Sequence, residues 1–367
     1  MKADTPTQIN KWLLPFSWLY GLIVFFRNKF FDWGILKREE FNIPIICIGN
    51  LTVGGTGKTP HTEYVVNILR NKYKVAVLSR GYGRKTNGYI LADSNSTSLD
   101  IGDEPYQIKR KYPDIYVAVD ADRRRGIRNL LAMDNPPQVI VLDDAFQHRY
   151  VDPSFTVILS DFNRPVYEDA LLPAGRLREP ISHLRKVSMV VVTKCPTDLK
   201  PIDYRIISHD LGLFPYQSLF FTTIAYSPTL KPVFGDAEDI NCADMRQTHV
   251  LLVTGIASPK LIIKKLSQYT DNVEPITYAD HHIFKAKDIK QIKKRFDAIA
   301  SDNKIVLVTE KDAARLVLRG DIDDGLKQKI FYLPIEISFV GSEHEEFDNK
   351  IISHVKEYSR NRIVYKK

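Results

Sequence analysis

The segment 44–59 constrains the fold of this chain more than any other. A short apolar run, 44–48, passes directly into Gly49-Asn50-Leu51-Thr52-Val53-Gly54-Gly55-Thr56-Gly57-Lys58-Thr59, and a helical pattern begins near Thr59. Strand, glycine-rich loop, Lys-Thr and helix is the layout of a phosphate-binding P-loop. Its glycines let successive backbone N–H groups turn toward phosphate oxygens, and the helix adds its positive N-terminal end. Residues Thr52, Val53, Gly54, Gly55, Thr56 and Gly57 are expected to wrap the phosphates. Lys58 supplies a point charge and the Thr59 hydroxyl a place for Mg²⁺. The loop is a variant, because Thr52 stands where the general pattern has its first glycine. Pro60 suits the first helical turn, where a missing N–H costs nothing.

Such a loop needs a second acid for its metal. The run 139–142 ends in Asp143-Asp144, acids at the carboxyl end of a buried strand, where ligands gather in open α/β sheets. Further Val- and Ile-rich runs at 75–78, 115–119, 155–159 and 187–192 suit strands covered on both faces, with helical segments at 59–71 and 103–111 between them. A second βα series occupies 250–253, 260–269, 273–278, 288–300, 305–309, a helix from Glu310, and 330–335. The expected fold is therefore α/β: a P-loop NTPase-like, doubly wound, mostly parallel sheet with a smaller second α/β domain. The expected boundaries are an N-terminal apolar helix at 1–35, a P-loop domain at 36–219, an extended hinge at 220–234 and a second domain at 235–367.

The N-terminal run 12–26, WLLPFSWLYGLIVFF, has no formal charge and lies between Lys11 and Arg27 with Lys29. It is short of the roughly 20 residues a spanning helix needs. Ser17, Gly21 and Asn28 fall on one helical face and aromatics cover much of the rest. That pattern suits a helix lying in the membrane interface, the alternative being a helix packed on the protein's own core. Lys plus Arg exceeds Asp plus Glu by 52 − 44 = 8, which favours an anionic or phosphorylated partner. Three dispersed cysteines without a CxxC pair exclude a disulfide framework or zinc ribbon.

Basic clusters follow several strand ends: 79–85, Arg123-Arg124-Arg125, and Arg176, Arg178 and Arg185 around Glu179-Pro180. Guanidinium forks suit phosphate oxygens, although such residues also solvate surfaces. Asp103, in Gly102-Asp103-Glu104-Pro105, is either a helix cap or a base for a hydroxyl. In Asp280-His281-His282-Ile283-Phe284, one histidine can serve an acid–base pair, or both can face solvent on a capped turn. The basic clusters lack the interleaved aromatics of a nucleic-acid module. Thr193-Lys194-Cys195-Pro196 fails the N-K-x-D guanine pattern at its first and last positions.

In combination these segments resemble the tetraacyldisaccharide 4′-kinase family of Gram-negative bacteria. The matching segments are GNLTVGGTGKTP (49–60), SRGYGRK (79–85), GDEP (102–105), VIVLDDAFQH (139–148), LLPAGRLREP (171–180), TGIASP (254–259), DHHIF (280–284) and VTEKDAARL (308–316). Ala145-Phe146 and Arg176 depart from the family's more usual Gly-Leu and Pro. The resemblance implies ATP- and Mg²⁺-dependent phosphorylation of the 4′-hydroxyl of a tetraacylated diglucosamine 1-phosphate, a lipid with a phosphosugar head. It implies work at the cytoplasmic face of the inner membrane, with neither nucleic acid nor an obligate protein partner. By motif position, Asp103 and His281 match the groups that activate the hydroxyl. Thr59, Asp143 and Asp144 match the magnesium region, and Arg178 with Glu179 a further phosphate and metal contact. A base in one domain and a histidine in the other imply closure across 220–234. Readings outside the family are a P-loop kinase for another phosphorylated metabolite, or a membrane-associated nucleotide switch.

Overall fold

The computed structural model describes residues 9–235, 237–255, 260–279 and 282–364. In chain order its first elements are α1 (Leu14–Asp32), β1 (Ile45–Asn50), α2 (Lys58–Arg70), β2 (Val75–Ser79), β3 (Ile90–Leu91), α3 (Ser98–Ile101), α4 (Asp103–Lys111), β4 (Tyr116–Val119), α5 (Arg123–Leu131), β5 (Val139–Asp143), β6 (Phe155–Asp161), β7 (Met189–Thr193), α6 (Pro201–Leu211) and β8 (Ser218–Tyr226). There follow β9 (Thr229–Pro232), β10 (Ile240–Asn241), β11 (His249–Thr254), α7 (Lys260–Leu266), β12 (Val273–Thr277), α8 (Ala286–Ala298), β13 (Lys304–Thr309), α9 (Glu310–Leu316), α10 (Asp324–Lys327), β14 (Ile330–Leu333), β15 (Ile335–Phe339) and α11 (His344–Val364).

The chain forms two compact units, each discontinuous in sequence. One comprises Met1–Asn95, Ile108–Ile224 and Ile337–Lys367; the other Ser96–Gln107 and Ala225–Glu336. The first is built on a sheet of strand order β15-β8-β7-β6-β1-β5-β2-β4-β3. Every neighbouring pair from β8 to β4 runs parallel, and β3 adds an antiparallel edge. Strands β1, β2, β5 and β7 are buried along their whole length, as their unbroken Val/Ile runs predict for a sheet covered on both faces. The second unit has the order β10-β9-β14-β13-β11-β12, parallel from β14 to β12.

Two features depart from the contiguous domains expected from sequence. The single strand expected at 330–335 is two strands, β14 in the smaller sheet and β15 in the larger, with Pro334 between them. Proline has no N–H to give a ladder, so the break falls there. Beyond β15, helix α11 buries Phe347, Ile351 and Val355, a stripe at four-residue spacing, in the first unit. Phe347 meets the Phe220 ring edge-on at 5.3 Å. The expected hinge 220–234 is likewise occupied by two strands, β8 and β9.

Gly49, near the end of β1, shows how tightly this edge is packed. A Cβ there would lie 2.7 Å from the Phe146 Cβ. Gly49→Ala is therefore expected to cost about 1–3 kcal/mol of stability, the range for overpacking a filled core. Urea midpoints of wild type and variant measure it, and equal midpoints would refute the contact.

Candidate active site

Strand β1 delivers the P-loop, and β5 is its parallel neighbour, with Ile48 in register with Asp143. The glycine-rich loop and the two acids thus share one carboxyl edge. The backbone is left-handed at Gly54 (φ 112°) and at Gly57 (φ 87°), which caps α2. Glycine tolerates both conformations without a Cβ penalty. Lys58 opens α2 and Thr59 is buried in its first turn. The loop's first residues lie beside the segment after 170: Val53 N–H donates to the Arg176 carbonyl at 2.8 Å, and Thr52 bridges Leu177.

The two acids have different surroundings. Asp143 is buried and accepts from Thr62 Oγ1 at 3.2 Å and Ser79 Oγ at 3.4 Å. Asp144 takes a left-handed backbone (φ 48°), uncommon for a residue other than glycine. Its carboxylate lies 3.7 Å from Lys58 Nζ and 3.7 Å from Arg178 Nη1. Its Oδ1 is buried without a hydrogen-bond partner. Arg178 also reaches Gln147 Oε1 at 3.4 Å, and Gln147 Nε2 donates to the Asn50 carbonyl at 2.7 Å. The sequence-predicted residues Lys58, Thr59, Asp143, Asp144 and Arg178 therefore gather around β1 and β5.

Glu179 does not join them. It was expected beside the metal, yet its buried carboxylate is held by Arg27, by Asn28 Nδ2 at 3.0 Å and by His183 Nδ1 at 3.2 Å. Burial pushes this carboxyl up, but His183, Arg27 and Asn28 together pull it below its ordinary value. Among the described residues no cluster of three or more His, Cys, Asp or Glu side chains could hold a metal ion. Glu179 instead fastens α1 through Arg27 and Asn28, and two further bonds hold the same helix: Tyr20 Oη donates to the Arg178 carbonyl at 3.0 Å and Ser17 Oγ to the Leu171 carbonyl at 2.9 Å. Ser17, Val24, Asn28 and Phe31 form the buried face of that helix. The opposite face leaves Phe16, Trp18, Leu19, Leu22 and Ile23 exposed, Trp18 by 76%. Among the described residues, no helix is long and apolar enough to cross a membrane.

Asp103, expected in the first domain, belongs to the second unit through the segment Ser96–Gln107. It opens α4, and its Oδ2 accepts from Arg315 Nε at 2.9 Å. Arg315 also donates through Nη1 to Asp312 Oδ1 at 3.1 Å. Asp312 in turn accepts from the Gly255 N–H at 2.9 Å and Thr309 Oγ1 at 2.6 Å. Burial holds the Asp312 carboxyl above its usual range despite these donors. The chain Asp103–Arg315–Asp312 links the GDEP and TEKDAARL segments. Sequence reasoning missed Arg315, whose only signal was its place in a matching motif. His281 and residues 256–259 lie outside the described residues. His282 is placed, with Nε2 2.9 Å from Asp288 Oδ2 and its ring stacked on Tyr278 at 4.5 Å. All three cysteines are buried and unpaired, and burial pushes the Cys47 thiol up to about 12.

Known proteins are similar to this chain over nearly its whole length. A family model described as Tetraacyldisaccharide-1-P 4′-kinase matches residues 9–356. The tetraacyldisaccharide 4′-kinase of Parabacteroides distasonis is 51% identical over 359 residues, covering 97% of this chain and 97% of that protein. Its counterpart from Bacteroides thetaiotaomicron is 48% identical over 363 residues, covering 96% and 95%. A crystal structure of LpxK from Aquifex aeolicus in complex with ATP is similar with a TM-score of 0.73 at 27% identity, over 94% of this chain and 99% of that one.

Proposed function

The chain belongs to the tetraacyldisaccharide-1-P 4′-kinase family and is an ATP-dependent kinase for the acylated disaccharide precursor of lipid A, and we propose which of its residues carry that reaction. The observation that supports the assignment is the meeting of Lys58, Asp144 and Arg178 at the carboxyl edge of β1 and β5. P-loop N–H groups and Lys58 hold the triphosphate tail of ATP, and Arg178 adds a guanidinium to the same phosphates. Asp103 accepts the proton of the 4′-hydroxyl as the oxygen attacks the terminal phosphorus. Arg315 fixes the orientation of that carboxylate.

The donor set fits magnesium. The Thr59 hydroxyl and the Asp143 and Asp144 carboxylates are hard oxygen ligands, and the buried Asp144 Oδ1 has no hydrogen-bond partner. When bound with ATP, the ion would neutralise charge on the phosphate oxygens.

The exposed aromatic face of α1 is assigned to the membrane surface, specifically the cytoplasmic face of the inner membrane, where it would meet the acyl chains of the substrate. Lys29, at the last turn, and Lys11, in the preceding 3-10 turn, suit anionic headgroups. Replacing Trp18 and Leu22 by serine is expected to weaken binding to anionic phospholipid vesicles about 100-fold, from the apolar area each side chain would bury. Vesicle sedimentation measures this, and unchanged partition would remove the assignment. The reaction itself is tested by transfer of labelled γ-phosphate from ATP to the tetraacyl-disaccharide 1-phosphate with magnesium present. Product lacking phosphate at the 4′ position would overturn the reading.

A further inference from the structure

Three consecutive carbonyls of the P-loop are each held by a side chain from outside the loop. Lys194 Nζ donates to the Gly55 carbonyl at 2.5 Å, Thr193 Oγ1 to the Thr56 carbonyl at 2.9 Å, and His61 Nδ1 to the Gly57 carbonyl at 2.7 Å. Two of the holders are themselves anchored. Lys194 Nζ also pairs with Asp161 at the end of β6, at 2.6 Å. His61 Nε2 accepts from Thr222 Oγ1 on β8 at 3.0 Å. Burial pushes His61 down to about 4, so its ring is neutral and one nitrogen donates while the other accepts. Lys194 has a left-handed backbone (φ 58°), a conformation that a lysine keeps only when its surroundings fix it.

We propose that Lys194, Thr193 and His61 are positioning residues that preset the P-loop for the phosphates of ATP. The inference rests on the nucleotide reading above and extends it to residues that touch neither the reacting groups nor the acids. A trans peptide points its C=O and the following N–H to opposite sides. Holding the carbonyls of residues 55, 56 and 57 against the protein body therefore turns the N–H groups of residues 56, 57 and 58 the other way. The Thr56 N–H closes onto the Gly54 carbonyl at 3.1 Å, which tightens the loop, while those of Gly57 and Lys58 start α2. Asn50 Nδ2 adds a fourth fastening, at 3.0 Å from Thr56 Oγ1. A loop holding Gly54, Gly55 and Gly57 loses much conformational freedom when it orders. Fastening it beforehand removes that cost from nucleotide binding.

The Thr193-Lys194-Cys195-Pro196 run thereby gains a role. It lacks the residues that would read a guanine base, yet its Thr193 ends β7, the second strand from β1, and Lys194 comes directly after. Lys194 is the most informative brace to remove, because its bond to Gly55 is charge-assisted and its side chain is partly exposed.

The test compares wild type, Lys194→Met and Lys194→Arg by steady-state kinetics, calorimetric binding of ATP with magnesium, and thermal unfolding. Lys194→Met is expected to raise KM and Kd for ATP about 10-fold, the loss of one charge-assisted hydrogen bond. KM for the lipid acceptor and the melting temperature should be unchanged, kcat should stay within about threefold, and Lys194→Arg should restore most of the affinity. Unchanged ATP affinity in folded Lys194→Met would overturn the proposal. So would a fall in melting temperature without a change in affinity, which is the mark of a purely structural contact. Thr193→Val, which keeps shape but removes the hydroxyl, gives a second reading of the same split. Failure of the wild-type chain itself to bind ATP would instead overturn the nucleotide assignment.

Discussion

Replacing Lys58 by methionine is expected to lower kcat about 10³-fold or more, with little change in stability. The side chain starts α2, so its ammonium lies at the positive end of a helix and 3.7 Å from the Asp144 carboxylate. In phosphoryl transfer there is little covalent work for the protein. Catalysis rests on cations aimed at charge that builds on the phosphate oxygens. Methionine keeps the length and apolar stem of lysine but removes the charge, so the glycine-rich loop and its outer fastenings remain. A loss of 10³ corresponds to about 4 kcal/mol of transition-state stabilisation. The pair it breaks is partly exposed, and such pairs contribute about 1 kcal/mol or less to folding. Turnover of the acyl-disaccharide by the folded variant, measured at saturating ATP, decides the matter. Near-wild-type kcat would remove Lys58 from the reaction and with it the P-loop assignment.

The parts of this site legible in the sequence are those fixed by local geometry. The P-loop and the helix after it are a contiguous motif, and β1 and α2 begin within a residue or two of the positions expected. Strands buried on both faces leave unbroken Val/Ile runs, so β2, β5, β11 and β13 were visible as well. Features that depend on distant pairing left no such trace. The polar run 94–98 gave no sign of its ordered turn, in which the Thr97 N–H and Oγ1 both donate to the Asp100 carboxylate at the start of α3. The grouping of Asp103 with α9 needs contacts across 212 residues. Glu179 sits beside Arg178 in a matching motif, so sequence order suggested a shared role. The turn between them sends one side chain toward Asp144 and the other to Arg27 and Asn28 on α1. No periodicity records that divergence. In sequence Lys194 reads only as part of a base-recognition motif, and its hold on a carbonyl 139 residues away lies beyond any spacing rule.

Asp103→Asn is expected to reduce kcat by about 10²–10⁴-fold while leaving ATP affinity unchanged. Asparagine preserves the shape and can still meet Arg315, but it cannot take a proton from a hydroxyl, and general-base catalysis contributes on that scale. The structure supplies a way to separate the base from its support. Arg315 is a buried fork between two carboxylates, with Nε on Asp103 and Nη1 on Asp312. Lysine offers a point charge and cannot bridge both in the same geometry. Arg315→Lys should therefore lose about 10-fold in kcat, with the acceptor still bound, because the carboxylate remains present but is less firmly aimed. Arg315→Met should lose more and should also destabilise the chain. It takes one donor from Asp312, a fully buried acid left with the Gly255 N–H and Thr309. The order of kcat expected is therefore wild type, Arg315→Lys, Arg315→Met, then Asp103→Asn. The urea midpoint should fall chiefly for Arg315→Met. If Asp103→Asn kept a tenth or more of wild-type kcat, another group would have to accept the proton. Arg315 would then be a fastening of the second unit with no part in the chemistry.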